Sequence, residues 1–179
     1  EKDKSEVRFN TLSGELIIHR NGNLYEMDFP TYELREIPVT DDMEKAFGVR
    51  PVKAVLGLDL VCVFESADIV KNMNPNQELL IGIEGRIQNA TAKGTDVDCV
   101  SRSFCPKLSI AEDPVCGSAH CQIAAYWAEK LKKKDIFAYQ ASKRGGYLHC
   151  TLQEGNRITI SGEAALVAIS EIVASLLTK

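Results

Sequence analysis

The opening of the chain alternates polar and apolar residues in short runs broken by turn formers. Residues 7–11, 15–20 and 24–29 read as strands, separated by Ser13-Gly14 and Asn21-Gly22, both strong hairpin signals. The pattern predicts a three-stranded antiparallel meander. Such a ribbon cannot bury its apolar face alone and needs a further layer. The first residue is Glu1 rather than Met, so part of the protein is expected to precede it.

Residues 32–38 lose the alternation and read as a linker. Asp41 and Glu44 then make a capping-box pattern for a short helix ending near Gly48, where a new domain is expected to begin. Runs 52–56 and 60–64 predict strands paired across a Gly57-centred turn. Runs 67–71 and 76–84 suggest short helices, and 86–92 and 97–105 return as strands. A longer helix is predicted over 118–134, with Ala119, Ile123, Tyr126, Trp127 and Leu131 at helical spacing and Lys130, Lys132, Lys133 and Lys134 at its end. Its apolar residues spread too widely for a surface stripe, so it belongs inside the fold. Strands follow at 136–140, 147–152 and 157–160, with a tight corner at Arg144-Gly145-Gly146. Residues 164–177 fit helix or strand equally well. The sum is an α+β pattern.

The start of the long helix carries the candidate chemistry. Pro114 disfavours helix at Asp113, Gly117 lets the backbone bend or approach a ligand, and Ser118 is a natural N-cap. The first N–H groups, around Ser118, Ala119 and His120, lack intrahelical acceptors and carry the positive end of the helix dipole. A carboxylate or phosphate fits there, ringed by Asp113, Cys116 and Ser118. An ordinary capped helix behind an acidic loop has the same spacing.

Composition narrows the partners. The 179 residues are 45% hydrophobic and 26% charged, enough for a real core in one or two small domains. A net charge of −4 leaves no basic footprint for nucleic acid, and the lysine cluster reads as a solvated helix end. No apolar run approaches the ~20 residues that span a bilayer, and no signal peptide precedes the first strand, so no membrane partner and a cytoplasmic location are expected. The 6 cysteines, several in apolar strands, read as reduced thiols. Cys116, His120 and Cys121 lack metal-site spacing, so no metal is expected. His19 and His149 fall in strand-like runs and read as surface or cross-strand residues.

The stretch Glu112-Asp113-Pro114-Val115-Cys116-Gly117-Ser118-Ala119-His120, followed by Tyr126-Trp127, resembles the signature of the phenazine-biosynthesis PhzF-like family. Ser101-Arg102-Ser103-Phe104-Cys105-Pro106 resembles its S-R-x-F-x-P strand, Gln140-Ala141-Ser142-Lys143-Arg144-Gly145-Gly146 its Q-x-S-x-R-G-G turn, and Ile160-Ser161-Gly162 its late strand. The resemblance implies a diaminopimelate epimerase-like fold, a curled β-sheet barrel around a central helix in each of two domains, with the active site between them. Residues 1–37 would be the remainder of the first domain and 38–162 the second. Residues 163–179 would return to the first domain, favouring strand near Val167.

The same resemblance implies a cofactor-independent isomerase or epimerase moving a proton at carbon in a small carboxylate. Asp113 and Ser118 match the family's active-site aspartate and serine. Gly117 and Ala119 match its carboxylate cradle, with Cys116, His120 and Arg144 as further substrate-binding candidates. Cys116 replaces the threonine commonest in the motif, and a thiol at a helix N-terminus can have a depressed pKa. The family's catalytic glutamate and its glycine-histidine-alanine-threonine motif have no counterpart here, so the chain looks like a fragment supplying one wall of the cleft. Its expected partners are the small-molecule substrate and either a second copy or the missing N-terminal half. The other reading is a non-catalytic anion-binding module paired with another chain.

Overall fold

A computed structural model describes residues 5–11 and 14–170. The ribbon forms as its alternation predicts, from β1 (Glu6–Thr11), β2 (Gly14–Asn21) and β3 (Leu24–Pro30). The interval read as a linker holds a further short strand, β4 (Arg35–Ile37), because its backbone finds an antiparallel partner in β5 (Lys53–Leu56). Between them lies α1 (Asp41–Phe47), capped by the Thr40 hydroxyl, which accepts from the Met43 N–H, and not by Asp41; Gly48 ends it at φ 76°. β6 (Leu60–Val63), α2 (Ala67–Asn72), α3 (Gln77–Ile81), β7 (Gln88–Lys93) and β8 (Cys99–Cys105) follow.

After a 3-10 turn at Pro106–Leu108 comes β9 (Ile110–Asp113), a strand where the sequence suggested only a turn. The central helix α4 spans Gly117–Leu131, shorter than the predicted 118–134, because Lys132 takes a left-handed conformation at φ 54°. Its N-cap is Cys116, not Ser118, which lies inside the first turn. β10 (Asp135–Gln140), β11 (Gly146–Gln153) and β12 (Arg157–Glu163) complete the fold. Residues 164–170 have no regular secondary structure, so the strand expected near Val167 does not form, and 171–177 lie outside the described residues.

These strands make one mixed sheet in the order β1-β2-β3-β12-β11-β10-β8-β7-β6-β5-β4, with β9 also on β8. The fold is therefore α+β and dominated by its sheet. The expected barrel does not close among the described strands, since β1 and β4 are unpaired edges. Two neighbouring pairs are parallel, β6 with β7 and β8 with β10. Parallel neighbours require crossovers. The first runs through α2 and α3, the second through β9 and α4.

Period-two alternation sends the strands' side chains into two cores. Val55, Val61, Val63, Cys99, Ile136, Ala138, Leu148, Cys150, Ile158 and Ile160 pack with Ile123, Ala124, Tyr126 and Trp127 of α4. Ala54, Leu56, Leu60, Cys62, Ala90, Val100 and Phe104 pack with Met43, Phe47, Val70 and Leu80 of the shorter helices. The sheet thus curls around α4, which buries nearly all its face as its broad apolar pattern requires. The ribbon joins through seven register pairs between β12 and β3, from Arg157↔Pro30 to Glu163↔Leu24, yet Phe9, Leu16 and Tyr25 stay exposed.

His120 ties α4 to the sheet. Fully buried, it donates from Nδ1 to the Cys116 carbonyl (2.7 Å), which leaves Nε2 to accept from the Ser101 hydroxyl (3.1 Å). Burial lowers its pKa to about 4, against the pull of the Cys116 carbonyl, so the ring is neutral. Between about 4 and its ordinary 6.5 the unfolded chain therefore holds a proton that the folded chain refuses. The stabilisation is complete above pH 6.5 and is lost as pH falls toward 4, by about 3 kcal/mol. Urea unfolding at several pH values should show this slope in the native protein and a shallower one in His120→Gln; equal slopes would remove His120 as its source. In the same assay Ile123→Ala, in the core around α4, should cost about 2–5 kcal/mol, whereas Phe9→Ala, 49% exposed, should stay within about 0.5 kcal/mol.

Candidate functional site

The turn from β9 into α4 is shaped by β10. β8 pairs with β7 along one edge, so its other edge is shared by β10, opposite Cys99 to Ser101, and by β9, opposite Ser103 to Cys105. β9 and β10 therefore approach end to end, and the carboxamide of Gln140 bridges the gap. Its Oε1 accepts from the Cys116 N–H (2.7 Å) and its Nε2 donates to the Asp113 carbonyl (2.6 Å). Ser142 donates to the Pro114 carbonyl (2.6 Å) and accepts from the Gly145 N–H (3.0 Å). Gly145 turns at φ 71°, and a Cβ on Gly146 would lie 2.5 Å from the Val115 side chain. The Gln140 to Gly146 turn is thus a clasp on residues 113–116.

Within that clasp the Asp113 carboxylate accepts from the Val115 N–H (3.0 Å), a local Asx-type bond that stops the strand. Glu112, its neighbour, points to the opposite face of the sheet. There it forms a two-point ion pair with Arg102 (both contacts 2.8 Å), whose guanidinium also donates to the Met73 carbonyl and lies over Phe104. Of the two adjacent carboxylates, one fixes β9 to β8 and only Asp113 faces α4.

The Cys116 thiol lies 3.5 Å from the Ser118 hydroxyl, with the Asp113 carboxylate and the Ala119 N–H near enough for it to feel their charge. Asp113 and Ser118 therefore both border the Cys116 thiol. Burial pushes the Cys116 thiol up, against the lowering pull of Ser118 and Ala119, so the depressed value expected of a helix N-terminus does not arise. All 6 cysteines are free and buried. The His120 N–H bonds to the Cys116 carbonyl (3.3 Å), whereas the N–H groups of Gly117, Ser118 and Ala119 have no acceptor among the described residues. Nothing lies within 4 Å of where a Gly117 Cβ would stand. The helix tip is open on that side.

Arg86 and Asp59, which motif reasoning missed, lie against this tip. Asp59 is 0% exposed and accepts from Arg86 Nε (3.2 Å) and Nη2 (3.3 Å), the Ile87 N–H (3.1 Å) and Gln122 Nε2 (3.0 Å). Gln122 Oε1 accepts in return from the Asp59 N–H (3.0 Å), and a Cβ on Gly57 would meet that oxygen at 2.5 Å. Arg86 Nη2 also donates to the Ser118 hydroxyl (3.3 Å). Ser118 and Gln122 are one helical turn apart, so one face of α4 docks on the Asp59–Arg86 pair.

The other candidates are placed differently. Ala119 is buried, and only its N–H reaches the site. His120 is turned inward with both ring nitrogens engaged, which fits a buttress beneath the loop. Arg144 is exposed and bonds to none of the site residues. His19 faces Glu6 at 3.5 Å, and His149 stacks on Phe137 at 4.7 Å. Among the described residues no group of three His, Cys, Asp or Glu converges as metal ligands would, and no helix is long and apolar enough to cross a membrane.

Comparison with known proteins places this geometry in a family. The chain matches the family model described as phenazine biosynthesis-like protein over residues 1–170. It is 39% identical over 167 residues to a Pseudomonas aeruginosa protein described as an uncharacterized isomerase, covering 93% of this chain and 64% of that one. A crystal structure of a phenazine biosynthesis protein of the PhzF family from Enterococcus faecalis superimposes with TM-score 0.89 at 39% identity, over 93% of this chain and 64% of that chain. A predicted epimerase from Pseudomonas aeruginosa shares the fold, with TM-score 0.65 at 18% identity over 95% of this chain and 68% of that chain. The chain thus spans just under two thirds of the length of the first of these relatives. With the signature turn, its clasp and the sheet around α4 all in place, the chain belongs to the phenazine biosynthesis-like, PhzF family.

Proposed function

We propose that the protein is an isomerase or epimerase that moves a proton at carbon in a small carboxylic acid, without a cofactor, and that the 113–118 turn is one wall of its active site. One observation carries the reading: Asp113 and Ser118 border the same thiol beside a helix tip whose Gly117 and Ser118 N–H groups have no acceptor among the described residues. The relatives' names, isomerase and epimerase, point the same way.

A substrate carboxylate accepts from those N–H groups and lies along the helix dipole. Its neighbouring C–H then faces Asp113. Removing that proton moves charge onto the carboxylate as an enolate, which the same N–H groups and the Ser118 hydroxyl stabilise more strongly than the ground state. Asp113 orients the substrate or relays the proton, and the main proton shuttle comes from the part of the family's length this chain does not span. Cys116 stays a thiol and packs the turn. In this reading residues 38–162 are the domain that carries this wall, with its sheet packed around α4, while 1–37 and 163–179 belong to a first domain across the cleft. The partner across that cleft is the remaining N-terminal part or a second copy.

The test is solvent deuterium incorporation into amino acids and cyclic carboxylic acids by the full-length protein. At least one acid should exchange, and Asp113→Asn or Ser118→Ala should slow it by about 100-fold or more, while Cys116→Ser should change it by no more than a few-fold. Exchange with none of the acids sinks the proposal. Saturable carboxylate binding without exchange would instead identify an anion-binding module.

A further inference from the structure

We propose that Arg86, held in place by the buried Asp59, is the positioning and specificity residue of this site, and that it selects a singly charged carboxylate over a multiply charged anion. The inference rests on the reading that the α4 tip receives a carboxylate. Nothing in the signature motifs marks Arg86, which follows the Gly85 turn and lies in sequence far from α4.

The geometry is that of a fixed cation with one side left open. Arg86 spends Nε and one face of Nη2 on Asp59 and donates from Nη2 to Ser118, while Nη1 has no partner among the described residues. The side chain is 41% exposed, whereas Asp59 is fully enclosed and anchored by Gln122 and the Ile87 N–H. A guanidinium held this way has lost its rotamer freedom before any ligand arrives, so less order is imposed on binding. Its bond to the Ser118 hydroxyl places it beside the helix tip, with Cys116 and Tyr32 close enough to feel its charge.

The charges present decide which anion this arrangement accepts. Arg86 is balanced by Asp59, and the Asp113 carboxylate adds further negative charge beside the turn. A carboxylate presents one charge and two in-plane oxygens, matching the free Nη1 of Arg86 and the pair of helix-tip N–H donors. A phosphate dianion brings a second negative charge toward two carboxylates with one guanidinium to offset it. The site therefore rejects it by charge rather than by size.

Amide NMR of the intact protein tests this without the natural substrate. The probes are acetate, L-proline, benzoate and inorganic phosphate, followed at the Gly117 and Ser118 signals. At least one carboxylate should shift both signals saturably, with phosphate binding more weakly. Arg86→Gln should weaken that carboxylate by about 10- to 100-fold and flatten its salt dependence. Arg86→Lys should keep the salt dependence while recovering part of the affinity. The double variant Arg86→Met with Asp59→Asn removes the pair without leaving a buried charge, and should bind as weakly as Arg86→Gln. Unchanged affinity and salt dependence in Arg86→Gln would overturn the inference, as would phosphate binding more tightly than every carboxylate or no carboxylate binding at all. Deuterium exchange retained in any of these cases would leave the proposed reaction standing while Arg86 leaves the site.

Discussion

The carboxamide of Gln140 is the interaction on which the site depends. At the junction of β9 and α4 the chain must change from strand to helix within three residues, and its polar backbone groups lose their ladder partners there. Gln140 substitutes for the missing strand, accepting from the Cys116 N–H and donating to the Asp113 carbonyl. It can do so because β10 ends where β9 ends, on the same edge of β8. Fixing residues 113 and 116 leaves the next N–H groups pointing outward at the start of the helix. The unpaired donors at Gly117 and Ser118 are thus a product of sheet register, and the helix sequence alone would not aim them.

Alternation across the sheet then sorts the motif residues by role. In β8, Ser101 faces α4 and holds His120, whereas Arg102 faces the other core and holds Glu112. In β9, Glu112 and Asp113 divide in the same way. A single tract can therefore carry structural and chemical residues side by side, since adjacent positions never share a face. The Glu112–Arg102 pair and the bonds from Gln140 and Ser142 lock the turn from opposite sides, which leaves the Asp113 carboxylate as the negatively charged group of the motif that faces the helix tip.

Much of this was legible in the sequence. The ribbon, the paired strands around Gly57 and the buried helix follow from periodicity over long enough runs, and the turn glycines marked their boundaries. β4 and β9 were not legible, because strands of three and four residues carry too few alternations to stand out and exist only where a neighbour supplies hydrogen bonds. The N-caps shifted for a similar reason. Thr40 outcompetes Asp41, and Cys116 takes the cap position without a side-chain bond because Gln140 already satisfies its backbone. The motif is what put Asp113 and Ser118 forward. No motif put Arg86 forward, since its partners are a carboxylate 27 residues away and a hydroxyl 32 residues away, a proximity only the folded sheet creates.

Electrostatics beneath the helix tip favours the same use of it. The groups packed under the tip are neutral: burial holds the His120 ring unprotonated and the Cys116 thiol protonated, and Ser101 and Gln140 contribute only dipoles. Had His120 been charged, it would have carried a cation into the core behind the turn and competed with the tip for any bound anion. Had Cys116 been a thiolate, it would itself have been the anion, drawing on the Ala119 N–H and the Ser118 hydroxyl. With both neutral, the field at the tip is set by oriented N–H groups, by the Asp113 carboxylate and by the Asp59–Arg86 pair at its side. Such fixed dipoles in poorly solvated surroundings need little reorganisation when charge arrives, and that is the condition under which a helix terminus stabilises a transient carbanion-like charge more than it stabilises a resting acid.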